Sequence, residues 1–207
     1  MSIKGFKFSG IYSGIKKNKK KDLGLIFSDR PTTLAGVTTK NYIVAAPVKY
    51  CREIINSGKA QAILVNSGNA NSFTGDQGYD DCKTVTGSLA EVLGIESKEI
   101  AFTSTGIIGV PLPKEKIVSS LNQLKEFLSE DYTTFAEAIM TTDLTQKIVS
   151  KVLKINDNEV NILGVAKGSG MIEPNMATML GFICSDIEID KNVFQSLLSE
   201  SVDDTFN

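Results

Sequence analysis

The sequence predicts an α/β protein in which a mixed β-sheet carries helices on its outside. Short apolar runs typical of buried strands alternate along the chain with stretches whose apolar residues recur at helical spacing. Two of the strands, residues 60–65 and 100–103, run directly into loops rich in glycine and other small residues. No internal repeat or low-complexity linker divides the 207 residues, so we expect no independent domain boundary.

The N-terminal part predicts two strands and a helix. Residues 5–13 alternate loosely around glycines, which indicates a strand with a bend, and residues 23–27 (LGLIF) indicate a short buried strand. The run RPTT at residues 30–33 is expected to break that strand. Residues 45–55 have apolar positions at helical spacing, and Gly58 is a plausible stop. A strand–strand–helix order is therefore predicted.

The middle of the chain predicts a buried strand at residues 60–65 and a helix at residues 77–93 that Gly94 closes. A third strand is predicted at residues 100–103, and a further helix begins near Pro113.

The C-terminal part begins with Asp131, which is expected to cap a helix that runs to Met140. Residues 156–159 (NDNE) separate two alternating apolar runs, which is a strong hairpin signal. The pattern therefore predicts three strands and a last helix, at residues 148–155, 160–165, 180–189 and 193–202.

Charge and composition exclude several classes of function. The chain has 22 basic and 24 acidic residues, so no overall field favours nucleic acid or an anionic membrane. The basic run at residues 16–21 is interpreted as a solvated loop. Histidine is absent, which excludes Ser-His and Cys-His triads and HExxH zinc sites. We predict no metal site.

The three cysteines, Cys51, Cys82 and Cys184, lie far apart and form no CxxC pair. This usage suits a reducing cytoplasm better than a disulfide framework. Near Met1 there is no secretory apolar segment, and the chain has no apolar run of about 18 residues. A cytoplasmic protein that does not span a membrane is expected.

Residues 167–180 (KGSGMIEPNMATML) place Thr178 behind the small residue Ala177 at the mouth of a strand. If the bond between them breaks, Thr178 gains a free amine that can act as the base for its own hydroxyl. The alternative is a loop that simply leads into a core strand, because threonine is common in strands.

Two further loops collect polar groups. Residues 66–75 (NSGNANSFTG) form a stretch that is costly to order unless its amides hold something. In residues 104–109 (STGIIG), the Thr105 hydroxyl and the Gly106 amide can face developing negative charge, or the segment is an ordinary connection. Neither loop matches a phosphate-binding motif. Asp143 can fix a loop by hydrogen bonds or orient a substrate amine.

Four motifs in order, NSGNANSFTG, TSTGIIG, MTTD and KGSGMIEPNMATML, closely resemble the ArgJ family, the glutamate N-acetyltransferases also called ornithine acetyltransferases. The resemblance spans nearly the whole chain. It implies an αββα sandwich like that of the N-terminal-nucleophile hydrolases. It also implies self-cleavage between Ala177 and Thr178, with residues 1–177 as the α-chain region and residues 178–207 as the start of the β-chain region.

The resemblance also implies roles for individual residues. Thr178 would be the acyl-accepting nucleophile, and Thr105 with Gly106 would form the oxyanion hole. Substrate contacts would come from Lys167 and from a threonine of the MTTD motif, Thr141 or Thr142. After MTTD this chain continues LTQK, where the family has a segment like TFPK.

The implied reaction moves acetyl from N2-acetylornithine to glutamate, with no bound cofactor and with acetyl-CoA as a possible second donor. The family assembles as an α/β heterotetramer, and its β chain continues beyond the position of Asn207. Part of the pocket is therefore expected outside these 207 residues, and the chain alone is expected to lack activity. Two alternatives stay open, which are an N-terminal-nucleophile aminopeptidase or amidase and an inactive fragment.

Overall fold

The computed structural model describes residues 2–170 and 179–206. Within them the chain forms seven strands and five α-helices, and a short 3-10 helix (Ser97–Glu99) precedes the fourth strand. In chain order the elements are β1 (Phe6–Ile11), β2 (Leu23–Thr33), α1 (Ala46–Ser57), β3 (Lys59–Asn66), α2 (Gly75–Leu93), β4 (Ile100–Ser104), α3 (Lys114–Glu126), α4 (Thr133–Ile139), β5 (Lys147–Ile155), β6 (Asn158–Lys167), β7 (Leu180–Ser185) and α5 (Lys191–Thr205).

The first sheet has the order β1-β2-β3-β4. Its first three strands are antiparallel neighbours, whereas β3 and β4 run parallel. A parallel pair needs a crossover, and α2 supplies it. Because β3 and β4 point the same way, the loops that follow them leave from the same edge of the sheet.

One face of this sheet is covered by α1, α2 and α3. Side chains from the strands and from these helices form a continuous apolar core, which includes Leu25, Leu64, Phe102, Val85 and Leu121. Each of these five side chains is fully buried. Burial of this size is the main source of the free energy that holds the helices on the sheet.

The other face of the first sheet packs against α4 and a second, antiparallel sheet of order β5-β6-β7. Phe135 of α4 lies at the centre of this inter-sheet core, with its ring 5.4 Å from that of Phe182 and 6.3 Å from that of Phe8. The predicted α/β sandwich of two sheets is therefore confirmed. On the outward side of the second sheet, Val149 and Ile183 stay exposed.

Several sequence predictions of where helices and strands end are confirmed. Gly58 and Gly94 both adopt left-handed backbone, with φ of 73° and 74°, and end α1 and α2. Asp131 was expected to cap α4, but the N-cap position is Tyr132, which has no side-chain cap; Asp131 precedes it and accepts from the Thr133 N–H at 2.9 Å. The hairpin between β5 and β6 turns through two residues, Asn156 and Asp157.

Two predicted strand boundaries were wrong. Strand β2 does not break at residues 30–33 but continues through them, because its register with β3 shifts between Phe27 and Thr32. A bulge of this kind accommodates Pro31, which has no N–H for the ladder. Strand β7 ends at Ser185 and not at residue 189, because Asp186 turns back to accept two hydrogen bonds from Asn161.

None of the helices in the described part of the chain combines the length and the apolar character needed to cross a bilayer.

Candidate active site

The loops after β3 and β4 meet at one edge of the first sheet. Asn69 and Ile107 form a bridge between them, and the Ala70 N–H donates to the Ile107 carbonyl at 2.9 Å. The Thr105 N–H donates to the Asn66 carbonyl at 2.9 Å. The two polar loops, residues 66–75 and 104–109, are therefore joined to each other by backbone hydrogen bonds.

Buried asparagine side chains hold this structure together. The Asn66 amide donates to the Asn69 carbonyl at 2.6 Å, and its oxygen accepts from the Gly68 N–H at 2.9 Å. Asn69 donates to the carbonyls of Val110 and Pro111, both at 3.1 Å. The sequence suggested that the amide groups of this loop bind some other group. In the structure the side-chain amides of Asn66 and Asn69 donate to backbone carbonyls in or directly after the two loops. Such bonds offset the entropy cost of ordering a loop of small residues.

Gly106 is required where the two loops touch. Its φ is +132°, and a Cβ atom on it would lie 2.5 Å from the Gly68 carbonyl carbon. Its N–H makes no hydrogen bond to any residue within 2–170 or 179–206. The Gly106 N–H and the adjacent Thr105 hydroxyl are therefore two neighbouring groups that can donate hydrogen bonds to a ligand.

Lys167, the last residue of β6, reaches this pair from the second sheet. Its ammonium lies 3.2 Å from the Thr105 hydroxyl oxygen, and the residue is only 5% exposed. Burial lowers the pKa of Lys167, and the nearby carboxylate of Asp143 partly opposes that shift. Because the Thr105 oxygen accepts a hydrogen bond from lysine, its own proton is free to be donated elsewhere.

Asp143 joins the MTTD motif to the start of the KGSG segment. Its carboxylate accepts from the Lys147 ammonium at 2.7 Å, from the Gly168 N–H at 2.8 Å and from the Thr141 N–H at 3.1 Å. Burial of the carboxyl raises its pKa, but these hydrogen bonds outweigh burial and lower the pKa to about 2. Of the two interpretations of Asp143, these contacts match the loop-fixing one.

The structure places Thr105, Lys167 and the threonines of the MTTD motif in the same region, linked by hydrogen bonds. Lys167 touches Thr105, and the Thr142 and Ser169 hydroxyls lie 2.9 Å apart. Ala177 and Thr178 lie outside the described residues. The described chain resumes at Met179, and the next residue, Leu180, pairs with Lys167 across the second sheet.

Sequence reasoning missed Lys16. Its ammonium donates to the carbonyls of Met140 at 2.6 Å and Lys21 at 2.8 Å. The interpretation of residues 16–21 as a solvated loop holds for Lys17, Lys19 and Lys20, which are exposed, but it is wrong for Lys16. Nothing in a run of lysines distinguishes the half-buried one whose ammonium bonds to the Met140 carbonyl.

Acidic and sulfur-bearing side chains form no cluster that could hold a metal ion within the described residues. Cys51, Cys82 and Cys184 are buried with free thiols, and burial raises the pKa of each to about 12. Thiols of this kind are unreactive at neutral pH.

The fold and the site define a class, a two-sheet α/β sandwich whose polar loops converge beside a buried lysine. A protein from Pyrococcus horikoshii shares the fold, with a TM-score of 0.60 over 97% of this chain and 66% of that chain. At 9% identity, that likeness concerns the fold alone.

Closer relatives identify the family. The sequence profile of the ArgJ family matches residues 7–207, and the chain belongs to that family. It is 48% identical to the arginine biosynthesis bifunctional protein ArgJ of Thermotoga neapolitana, over 99% of this chain and 52% of the relative. It is 49% identical to the protein of the same name from Bacillus cereus, over 99% and 50%. The chain thus spans about half the length of the curated relatives it matches.

Two solved structures support the same assignment. The arginine biosynthesis bifunctional protein of Bacillus halodurans is 44% identical with a TM-score of 0.79, covering 84% of this chain and 92% of that chain. The ornithine acetyltransferase of Mycobacterium tuberculosis, solved in complex with ornithine, is 33% identical with a TM-score of 0.77, covering 86% and 94%.

Proposed function

We propose that this chain carries the α-chain region of a self-cleaving acetyltransferase that moves acetyl from N2-acetylornithine to glutamate in arginine biosynthesis. The observation that carries the proposal is the contact of the buried Lys167 ammonium with the Thr105 hydroxyl, next to the Gly106 N–H. Membership of the ArgJ family, and the names of the relatives, support this reaction.

In the proposed reaction, Thr105 and Gly106 stabilise the oxyanion. Attack on an acetyl carbonyl turns its oxygen into an alkoxide, which needs donors that are already in place. The Thr105 proton is available because the oxygen accepts from Lys167, and the Gly106 N–H makes no bond to a described residue. In a comparable system one such donor is worth roughly 2.7 to 4 kcal/mol.

Thr178 is proposed as the nucleophile, released by cleavage of the Ala177–Thr178 bond. Its hydroxyl oxygen attacks the Ala177 carbonyl, and the C–N bond breaks as an ester forms, so that the nitrogen takes the hydroxyl proton and becomes the free Thr178 amine. Water then hydrolyses the ester, which frees the Thr178 hydroxyl and leaves Ala177 with a carboxylate. The lengths of the relatives support cleavage. The solved chains are covered over 92% and 94% of their length and the curated relatives over only about half, as expected if the solved polypeptides are cleaved pieces.

Acetyl transfer then proceeds in two steps. The Thr178 hydroxyl oxygen attacks the acetyl carbonyl of N2-acetylornithine and passes its proton through the Thr178 amine to the departing ornithine amine. The glutamate amine attacks the acetyl ester in turn, loses a proton to the Thr178 amine and regenerates the hydroxyl. These steps use only groups of the protein and its substrates.

Substrate binding is proposed for Lys167 and for Thr141 or Thr142. The Mycobacterium tuberculosis relative was solved with ornithine, which supports a substrate of that type. Lys167 is a buried cation that can attract a carboxylate, and Asp143 holds the MTTD motif by accepting from the Thr141 N–H. Acetyl-CoA is proposed as a second donor, in keeping with the word bifunctional in the relatives' names.

The two chains produced by cleavage are proposed to remain together in an α/β heterotetramer. Strand β6 precedes the cleavage bond and β7 follows it, and their ladder of hydrogen bonds would join the two chains. A cytoplasmic location is also proposed, because the three buried free thiols suit a reducing compartment.

The test uses the protein produced from its own gene. Incubation with N2-acetylornithine and glutamate should form N-acetylglutamate and ornithine, and intact mass should show cleavage before Thr178. Thr178→Ala should abolish both. Thr84→Ala changes an exposed threonine on α2, and this control should retain both.

Two results would contradict the proposal. Release of acetate without N-acetylglutamate would indicate an amidase or aminopeptidase of the same fold. Normal cleavage in the Thr178→Ala variant would exclude Thr178 as the group that breaks the chain.

A further inference from the structure

The turn at residues 13–16, here the N-terminal turn, is fastened to one buried carboxylate. Asp22 is fully buried and accepts from the backbone N–H groups of Ser13 at 2.6 Å, Ile15 at 2.8 Å and Lys16 at 2.8 Å. It also accepts from the Ser13 hydroxyl at 2.8 Å. Hydrogen bonds to a charged acceptor are strong, so the turn has a defined position.

The N-terminal turn touches the site from two sides. Ile15 lies so close to Gly68 that a Cβ atom there would be 2.4 Å from the Ile15 Cγ2 atom. Gly68 is the residue against which Gly106 packs. On the other side, the Lys16 ammonium lies 2.6 Å from the Met140 carbonyl oxygen.

We propose that Lys16 is a positioning residue for the substrate loop, residues 140–143. Its ammonium, held by the N-terminal turn, fixes the Met140 carbonyl and so orders the two threonines that follow. Asp143 holds the far end of the same loop through Gly168. The inference rests on the proposed function only in assigning substrate contacts to Thr141 and Thr142.

The surroundings of Lys16 make this link sensitive to pH. Burial is the largest cause and lowers the pKa of Lys16 to about 8, Asp22 and Glu137 raise it in part, and Lys20 and Lys167 lower it. The charge is present below that pH and is lost as the pH rises through it. A neutral amine donates weaker hydrogen bonds, so the substrate loop should loosen above pH 8. The charged groups that act on Lys16 are Asp22, Lys20, Lys167 and Glu137, and the Lys116 ammonium also reaches the N-terminal turn, at the Gly14 carbonyl.

Kinetics with N2-acetylornithine provide the first test. At pH 7, Lys16→Met should raise KM roughly tenfold, as expected for one lost charge-assisted hydrogen bond, while kcat changes little. Lys16→Arg keeps a charged donor at every pH used and should restore most of the affinity. The wild-type KM should rise above pH 8, and that rise should be absent in the arginine variant.

Hydrogen exchange provides a test that needs no activity. After correction for the intrinsic pH dependence, residues 140–143 should exchange faster in Lys16→Met than in the wild type, while strand β3 (Lys59–Asn66) is unchanged. The control is Lys17→Met, which alters an exposed lysine of the same run. It should match the wild type in both experiments.

The outcomes separate the two proposals. Equal exchange of residues 140–143 in the Lys16→Met and Lys17→Met variants would overturn the role of Lys16, whatever the activity. A wild-type protein without acetyl transfer would contradict the proposed function but would leave the exchange result decisive. If Lys16→Met fails to fold, the pH series of the wild type and the arginine variant decides the question, and identical pH profiles would overturn the inference.

Discussion

At the scale of single residues, two glycines, Gly10 and Gly106, allow two stretches of backbone to approach each other closely. Gly106 is the clearest case, because the Gly68 backbone occupies the space that a Cβ atom would need. In the sequence, Gly106 of the segment STGIIG indicated a turn, but a glycine in a turn does not by itself show that another backbone lies against it. Its partner, Gly68, lies 38 residues earlier, as the two residue numbers show, and no local pattern could reveal it.

Gly106→Ala should therefore destabilise the protein by about 1–3 kcal/mol, since both the left-handed backbone and the close contact are strained by a side chain. Gly87→Ala is the matched control, because it lies in α2 with no atom within 4 Å of the added Cβ. That substitution should stabilise by roughly 0.5–1 kcal/mol. Urea denaturation of both variants measures the difference, and equal midpoints would refute the packing argument.

At the scale of elements, local sequence accounts for most of the fold. Glycines end α1 and α2, and an alternating pattern marks the hairpin of β5 and β6. These features succeed because each depends on neighbours within a few residues. The bulge in β2 depends on the register with β3 instead, which is why the predicted break at residues 30–33 was wrong.

The hairpin turn offers a prediction at this scale. Asn156 and Asp157 both have positive φ, 47° and 63°, as in the tight turns that suit a right-handed twist. Asn156→Val should cost about 1–2 kcal/mol, because a β-branched residue is strained in that conformation. Asp157→Gly should change the free energy of unfolding by less than about 0.5 kcal/mol, since only an exposed ion pair with Lys154 is lost. Thermal unfolding of the two variants tests this, and a more stable valine variant would contradict it.

For the whole molecule, the important feature is that two separate apolar cores flank the first sheet. The core between the first sheet and the three helices α1, α2 and α3 holds those helices in place. The inter-sheet core fixes the second sheet, which carries Lys167 toward Thr105 of the first sheet. The geometry of the site therefore depends on how firmly the two sheets pack.

Phe135→Ala should cost about 3–5 kcal/mol, because it removes a fully buried ring from the inter-sheet core. Hydrogen exchange should increase more in β6 and β7 than in α2, since the lost contacts join the two sheets. Phe127→Ala, at a ring that is 57% exposed, is the control and should have a much smaller effect. Uniform loss of protection across both sheets would contradict the separation into two cores.

The chain's own residues were enough to predict the order of strands and helices, the helix ends, the hairpin and membership of the ArgJ family. Each of these follows from short-range periodicity, turn chemistry or contiguous motifs. The roles of Ala177 and Thr178 stay predictions, because those residues lie outside the described part of the chain.

The contacts between the residues of the site are decided by the tertiary structure alone. Lys16, Thr105, Asp143 and Lys167 are far apart along the chain, and they meet because β3 and β4 end at one edge while the inter-sheet core brings β6 against them. The lysines of residues 16–21 look alike in the sequence, and only the fold places the ammonium of Lys16 against the Met140 carbonyl. Long-range packing decides such contacts, and the apolar periodicity of each element does not show which polar side chains of different elements will meet.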